Sequence, residues 1–308
     1  MRPTIVLFAV MSVFLGQSVS AKAVKCGLEM MSQPPVQQAT LAEIVVIGKV
    51  TAIEPDMLIV EQYPGGGKVA HLVATIRIEE RLSGGKGVTH LRVGFVPTRQ
   101  ALDEDEFGLQ PFNARAERSW RGHASLSEGQ EACFFLRKHA TADFHVMSEV
   151  GYPLNKSDVN YDNQIKAVRK ILKACEDPIA ALKTKDAADR QLFACALVLK
   201  YRSQSPYRPA VATANQPIPA EESELILKTL AEMKWGEMPF DENGTYSLHT
   251  AFQSLQIAPK DGWQQPAQKE NEDYNQIMNT AASKWLKDNA GKYRIQKLVA
   301  TPTVGKPN

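Results

Sequence analysis

Near residue 163 the apolar residues of this chain stop recurring at every second position and begin recurring at every third or fourth. Period two belongs to strands with one buried face, and period 3.6 to helices with one buried stripe. A chain whose halves carry different periods cannot be a uniform bundle, a uniform sandwich or an alternating βαβ fold. The expectation is a segregated α+β protein, strands first and helices after.

Residues 42–149 carry the strand pattern. Ile44-Val45-Val46-Ile47-Gly48-Lys49-Val50-Thr51-Ala52-Ile53 is rich in β-branched residues, which suit a pleated, half-buried surface. Residues 57–63 predict a second strand, stopped by Pro64-Gly65-Gly66-Gly67. Residues 69–80 predict a third, with Leu72, Ala74, Ile76 and Ile78 on one face. After the turn at Ser83-Gly84-Gly85-Lys86-Gly87 an alternating stretch runs to Phe95. Two more strands are expected at residues 133–137 and 144–148. Strands at this spacing, joined by Gly-rich turns, predict a small antiparallel barrel or sandwich.

The helical pattern follows. Ile165, Val168, Leu172 and Cys175 share one face. Asp177-Pro178 reads as an N-cap with Pro at the first helical position, opening a short helix to Leu182. Asp186 opens the next, with Leu192, Cys195, Ala196 and Leu199 on one stripe. Residues 221–235, 247–257 and 273–287 predict three more helices.

Residues 1–21 read as an address. Arg2 precedes an apolar run at residues 5–15, too short for a bilayer span of about 20 residues, and Val19-Ser20-Ala21 suits signal-peptidase cleavage. The expected organisation is a signal peptide at 1–21, a strand domain at 22–152 and a helical domain at 153–308. The mature chain is expected to be exported, periplasmic or secreted, with no transmembrane segment. Four cysteines are too few for a disulfide scaffold. In an oxidising compartment one bridge in each half is expected, Cys26–Cys133 and Cys175–Cys195, the alternative being buried thiols.

With 36 Lys+Arg against 34 Asp+Glu, the balance excludes a general nucleic-acid binder. Residues 97–128 form a connection much longer than the ~12–15 residues that structureless loops usually reach. It holds the acidic run Asp103-Glu104-Asp105-Glu106 and a basic run with Arg115, Arg118 and Arg121 around Trp120. Aromatic and Arg side chains of this kind anchor protein partners, so Arg115, Arg118, Trp120 and Arg121 are the expected contact residues. The acidic run lacks the spaced oxygens and Gly of a calcium loop. The two glycine-lysine turns do not fit the phosphate-loop pattern, and none of the six histidines makes a metalloprotease motif. His71 and His90 lie on strands and could face each other as a weak metal pair, the commoner reading being surface histidines. No nucleophile elbow appears. No catalytic residue, metal or cofactor is assigned.

The strand half resembles netrin-like domains, the OB-type barrels of tissue metalloprotease inhibitors. The likeness rests on Ala42-Glu43-Ile44-Val45-Val46-Ile47-Gly48-Lys49-Val50-Thr51 against an opening "ADVVVxGxV". It extends to Ala74-Thr75-Ile76-Arg77-Ile78-Glu79-Glu80-Arg81-Leu82-Ser83-Gly84 against "V..V.E.LKG". Leu126-Ser127-Glu128-Gly129-Gln130-Glu131-Ala132-Cys133-Phe134-Phe135-Leu136 matches "L..G....FL". The resemblance implies an antiparallel OB-like, netrin-like β-barrel followed by an all-α helical domain. It also implies zinc chelation by a mature N-terminal cysteine, but cleavage after Ala21 leaves Lys22 first and Cys26 inside the chain. The chain as a whole is similar to uncharacterised exported bacterial proteins. The leading expectation is therefore a non-enzymatic exported binding protein for a protein or envelope ligand. The alternatives are a metalloprotease-inhibitor-like protein and a cell-envelope hydrolase with its site between the two domains.

Overall fold

The computed structural model describes residues 33–96, 125–147, 151–203, 213–235, 246–267 and 273–300. The segment read as a signal peptide lies outside them. Helix α1 (Pro35–Leu41) comes first. Seven strands follow: β1 (Ile44–Ile53), β2 (Leu58–Glu61), β3 (Lys68–Ser83), β4 (His90–Phe95), β5 (Glu131–Lys138), β6 (His145–Met147) and β7 (Leu154–Asn155). Next come α2 (Tyr161–Glu176), α3 (Pro178–Leu182), α4 (Ala187–Arg202), β8 (Thr213–Pro217), α5 (Ala220–Ala231), α6 (Leu248–Ser254), α7 (Tyr274–Asn289) and β9 (Gln296–Ala300). No helix among the described residues is long and apolar enough to cross a membrane.

The architecture is α+β, but the two element types interleave. Helix α1 precedes the first strand, and β8 and β9 pair antiparallel amid the helices. Neither feature has a strong local signal. The α1 sequence PVQQATL lacks an apolar stripe, and the β8 sequence TANQP is poor in strand formers. Tertiary pairing supplies what propensity does not.

The strand pairings close on themselves. β1 pairs with β3, β3 with β4, β4 with β6, β6 with β5, and β5 with β1. The β4–β6 pair is parallel and the other four are antiparallel. β2 pairs with the start of β3 and β7 with the start of β5. Gly48 permits the close approach of β1 to β3. A Cβ there would lie 2.5 Å from the Arg77 carbonyl oxygen, beside a register shift between Ile47 and Gly48.

Alternation sends one set of side chains into the ring. Val46, Val50, Ala74, Ile76, Val93 and Phe134 form its interior with Leu91, Phe95 and Leu136. The opposite faces of β1 and β5 carry Val45, Cys133 and Phe135, which are also buried. These join Ala39 of α1 and Ile165, Val168 and Leu172 of α2 in a second, larger core that extends through the helices. Arg169 of α2 adds an exposed ion pair with Glu80 of β3 at 2.6 Å, which contributes little. The strand ring and the helices are thus joined through apolar packing.

The helix starts follow the capping chemistry. Asp177 accepts the N–H of Ala180 at 3.1 Å, Asp186 that of Asp189 at 3.0 Å, and Ser247 that of Thr250 at 3.1 Å. α4 is the central helix, with Leu192, Phe193, Ala194, Cys195, Ala196, Leu197, Val198 and Leu199 all buried. A helix apolar on every side is enclosed by its neighbours.

We predict that Phe135→Ala lowers stability by about 3–5 kcal/mol, because it removes the largest side chain that β5 contributes to the helical core. Urea unfolding followed by circular dichroism measures it. A loss below ~1 kcal/mol would show that this face of β5 does not anchor the helices.

Candidate functional site

The strand ring presents one rim assembled from three pieces of chain. These are the β2–β3 hairpin, the turn between β5 and β6, and the end of β4. The hairpin places His71 opposite Leu58 of β2. The turn carries His139 and Phe144, closed by the His139 N–H donating to the Phe144 carbonyl at 2.9 Å. The three rings form one cluster. Centroid distances are 5.5 Å for His71–His139, 5.4 Å for His71–Phe144 and 4.8 Å for His139–Phe144. All three side chains are buried.

Alternation along β4 explains how Phe144 fits. Leu91, Val93 and Phe95 point into the ring, so Gly94 points outward, on the same side as its partner Val73. A Cβ on Gly94 would lie 2.3 Å from the Phe144 ring. Glycine leaves the space that the ring occupies.

Hydrogen bonds define the imidazoles. His71 Nδ1 lies 3.2 Å from the Val69 carbonyl, so Nδ1 carries a proton. His139 Nδ1 accepts the N–H groups of Thr141 at 3.2 Å and Ala142 at 3.1 Å. Its neutral form therefore carries the proton on Nε2, which does not suit that nitrogen to a metal. Burial lowers the proton affinity of His139. It also lowers that of His145, partly offset by the Arg92 backbone and the acidic Glu43 and Asp143. Near this rim, Arg92 of β4 holds Glu54 by bidentate contacts at 2.8 and 3.0 Å. Among the described residues, no group of three or more His, Cys, Asp or Glu is placed to hold a metal ion.

The sequence-derived candidates fare differently. His90 pairs with Arg77, six positions along β3 from His71. At ~3.3 Å per residue the two histidines are about 20 Å apart and do not face each other. His71 instead meets His139. Arg115, Arg118, Trp120 and Arg121 lie outside the described residues, as does Cys26. The described chain stops at Val96, next to Phe95, whose partner Leu72 follows His71. Val96, the last described residue before position 97, therefore lies close to the His71 cluster.

The expected Cys175–Cys195 bridge is not made. Cys133, Cys175 and Cys195 are free thiols. Cys195 Sγ lies 3.8 Å from Met233 Sδ and 3.8 Å from the Ser247 carbonyl. Because α4 is enclosed on all sides, sharing a stripe with Leu192 and Leu199 does not aim Cys195 at α2. Cys133, the expected partner of Cys26, is buried between β5 and the helices. Burial pushes the Cys133 and Cys195 thiols up to about 12. Cys175 is raised as well, through burial, with Lys200 opposing.

Sequence reading also misses a buried polar cluster in the helical half. Arg202, the last residue of α4, donates to the Ser254 carbonyl at 3.1 Å, Asn215 Oδ1 at 3.1 Å, the Gln296 carbonyl at 3.0 Å and Gln256 Oε1 at 2.5 Å. The neighbouring Tyr201 hydroxyl donates to the Glu222 carboxylate. Charged residues of this kind are seldom buried unless paired, and nothing in the local sequence marks them.

Comparison with protein-family models, with curated proteins and with solved structures gives no match to this chain.

We predict that, in a Cys26→Ser background at pH 8, a maleimide labels Cys175 well before Cys133 and Cys195. Peptide mapping by mass spectrometry reads the order. Prompt labelling of Cys133 would contradict its burial between β5 and the helices.

Proposed function

We propose that this chain is an exported binding protein whose N-terminal half, residues 22–152, is an OB-like, netrin-like barrel. The observation that carries this reading is the closed pairing cycle with its single parallel pair, β4 with β6. With β2 set aside as part of the first connection, the ring strands run first, second, third, fifth, fourth in space. That order suits a five-stranded OB-type barrel, which binds ligands with its second and third strands and with the loops after its first and fourth. Here those loops are the β2-containing connection and the β5–β6 turn. They meet where Thr141 Oγ1 donates to the Glu61 carbonyl at 2.5 Å.

The described chain reaches Val96 at the same rim, and Arg115, Arg118, Trp120 and Arg121, which lie outside the described residues, are the proposed contacts for a protein or envelope ligand. In this reading the described helices hold β1 and β5 from outside. The junction of the two halves, packed with Val45, Cys133 and Phe135, gives no support to a hydrolase cleft there.

We predict that replacing Arg115, Arg118 and Trp120 together by Ala reduces recovery of cross-linked partners from the native compartment by about tenfold or more, since aromatic and Arg anchors dominate such contacts. Circular dichroism must match the unmodified protein. Quantitative mass spectrometry gives the result, and unchanged partner recovery removes the connection as the contact surface.

A further inference from the structure

The turn at residues 139–144 is closed at its ends by the His139 N–H on the Phe144 carbonyl and within by a lone pair of the His139 ring. His139 Nδ1 accepts two backbone N–H groups, from Thr141 at 3.2 Å and Ala142 at 3.1 Å. The turn in turn holds the neighbouring hairpin, because Thr141 Oγ1 donates to the Glu61 carbonyl at the end of β2. Phe144, at the far end of the turn, is seated over Gly94. A proton on Nδ1 would point a third N–H at two others, and the Thr141 hydroxyl, 3.4 Å from Nδ1, offers that proton only a long, weak acceptor.

We propose that His139 is an acid-sensitive latch: its neutral Nδ1 keeps the turn closed over the rim, and its protonation opens the turn, frees the hairpin from Thr141 and uncovers Phe144. The latch needs no partner, so it stands apart from the binding reading.

The surroundings favour the closed, neutral form at neutral pH. Burial lowers the proton affinity of His139. From β3 the ring faces His71, and a proton on either imidazole disfavours one on the other. From β2 the contributing residue is Glu61, through its carbonyl. Arg92 of β4 is committed to Glu54 and reaches the Asp143 carbonyl of the turn at 3.5 Å. On either side along the chain stand Lys138 and, on β6, His145, whose own proton affinity is lowered by burial. A histidine with a lowered folded value binds protons more readily when unfolded. Its stabilising contribution is complete above the ordinary value of about 6.5 and is lost as pH falls below it.

Amide hydrogen exchange on the full chain, at pH 7.5 and pH 5.5 and corrected for intrinsic rates, tests the latch. Peptides covering residues 139–147 and 58–72 are expected to lose protection on the order of tenfold in acid, while peptides from β1 and β5 keep theirs. His139→Asn places an amide oxygen where Nδ1 was, an acceptor that does not titrate, and is expected to abolish the acid response. Thr141→Val is expected to free residues 58–61 at both pH values and leave the response of the turn intact. Equal protection of the unmodified turn at both pH values overturns the proposal, as does an acid response that persists in His139→Asn. Should a variant fail to fold, nitrogen chemical shifts of the His139 ring in the unmodified protein decide. A protonated Nδ1 at pH 7.5 also overturns the proposal.

Discussion

Two strands, β1 and β5, are buried on both faces, and the rest of the molecule is arranged around that fact. Val46, Val50, Phe134 and Leu136 fill the strand ring, while Val45, Cys133 and Phe135 enter the helical core. Adjacent residues on one strand therefore belong to different cores. Such strands read as continuous apolar runs rather than alternating ones, as Ile44-Val45-Val46-Ile47 and Cys133-Phe134-Phe135-Leu136 do. Apolar burial of about 25 cal/mol per Å² makes this double interface the main connection between the two halves. On β3 the contacts made with the helical half, Leu82 in its apolar core and Glu80 with Arg169, lie at the far end of the strand from β2 and the histidine cluster.

Buried polar groups add specificity to this apolar frame. Arg202 makes its hydrogen bonds to carbonyl and amide oxygens, two of them near the end of α6 and one on β9. The partial negative charge at helix C-termini offsets part of the cost of burying a guanidinium. The bonds can form only when α4, α6 and the β8–β9 pair are all in place. Thr40 and Tyr246 act similarly at the other end, joining α1 to the segment before α6 at 3.0 Å. Such contacts contribute about 1 kcal/mol each, but they select one arrangement of helices that generic apolar packing would leave open.

Local signals were legible. The change of period placed most strands of the first half and the helices after them, and Asp177 and Asp186 cap the helices they were expected to open. Glycine-rich turns separate the strands as read. Features that depend on a distant partner were not legible. α1 and β8 lack a pattern of their own, so only packing against α2 and pairing with β9 reveal them. His71 meets His139 because the ring closes, which the strand pattern leaves undetermined, and a pairing with His90 looked just as reasonable along the chain. Cys195 was read as facing α2 because an amphipathic stripe assumes one inward face, whereas α4 is enclosed.

Propensity, periodicity and capping act within a few residues, so the amino-acid pattern alone placed most strands of the first half and the helices from residue 161 on, but not α1, β7, β8 or β9. Which face of β1 and β5 meets which core, where the Cys133, Cys175 and Cys195 thiols point and which histidines share a rim are set by long-range packing. Those outcomes follow from closure of the strand ring and from burial of α4 on every side, and both are properties of the whole chain rather than of any segment of it.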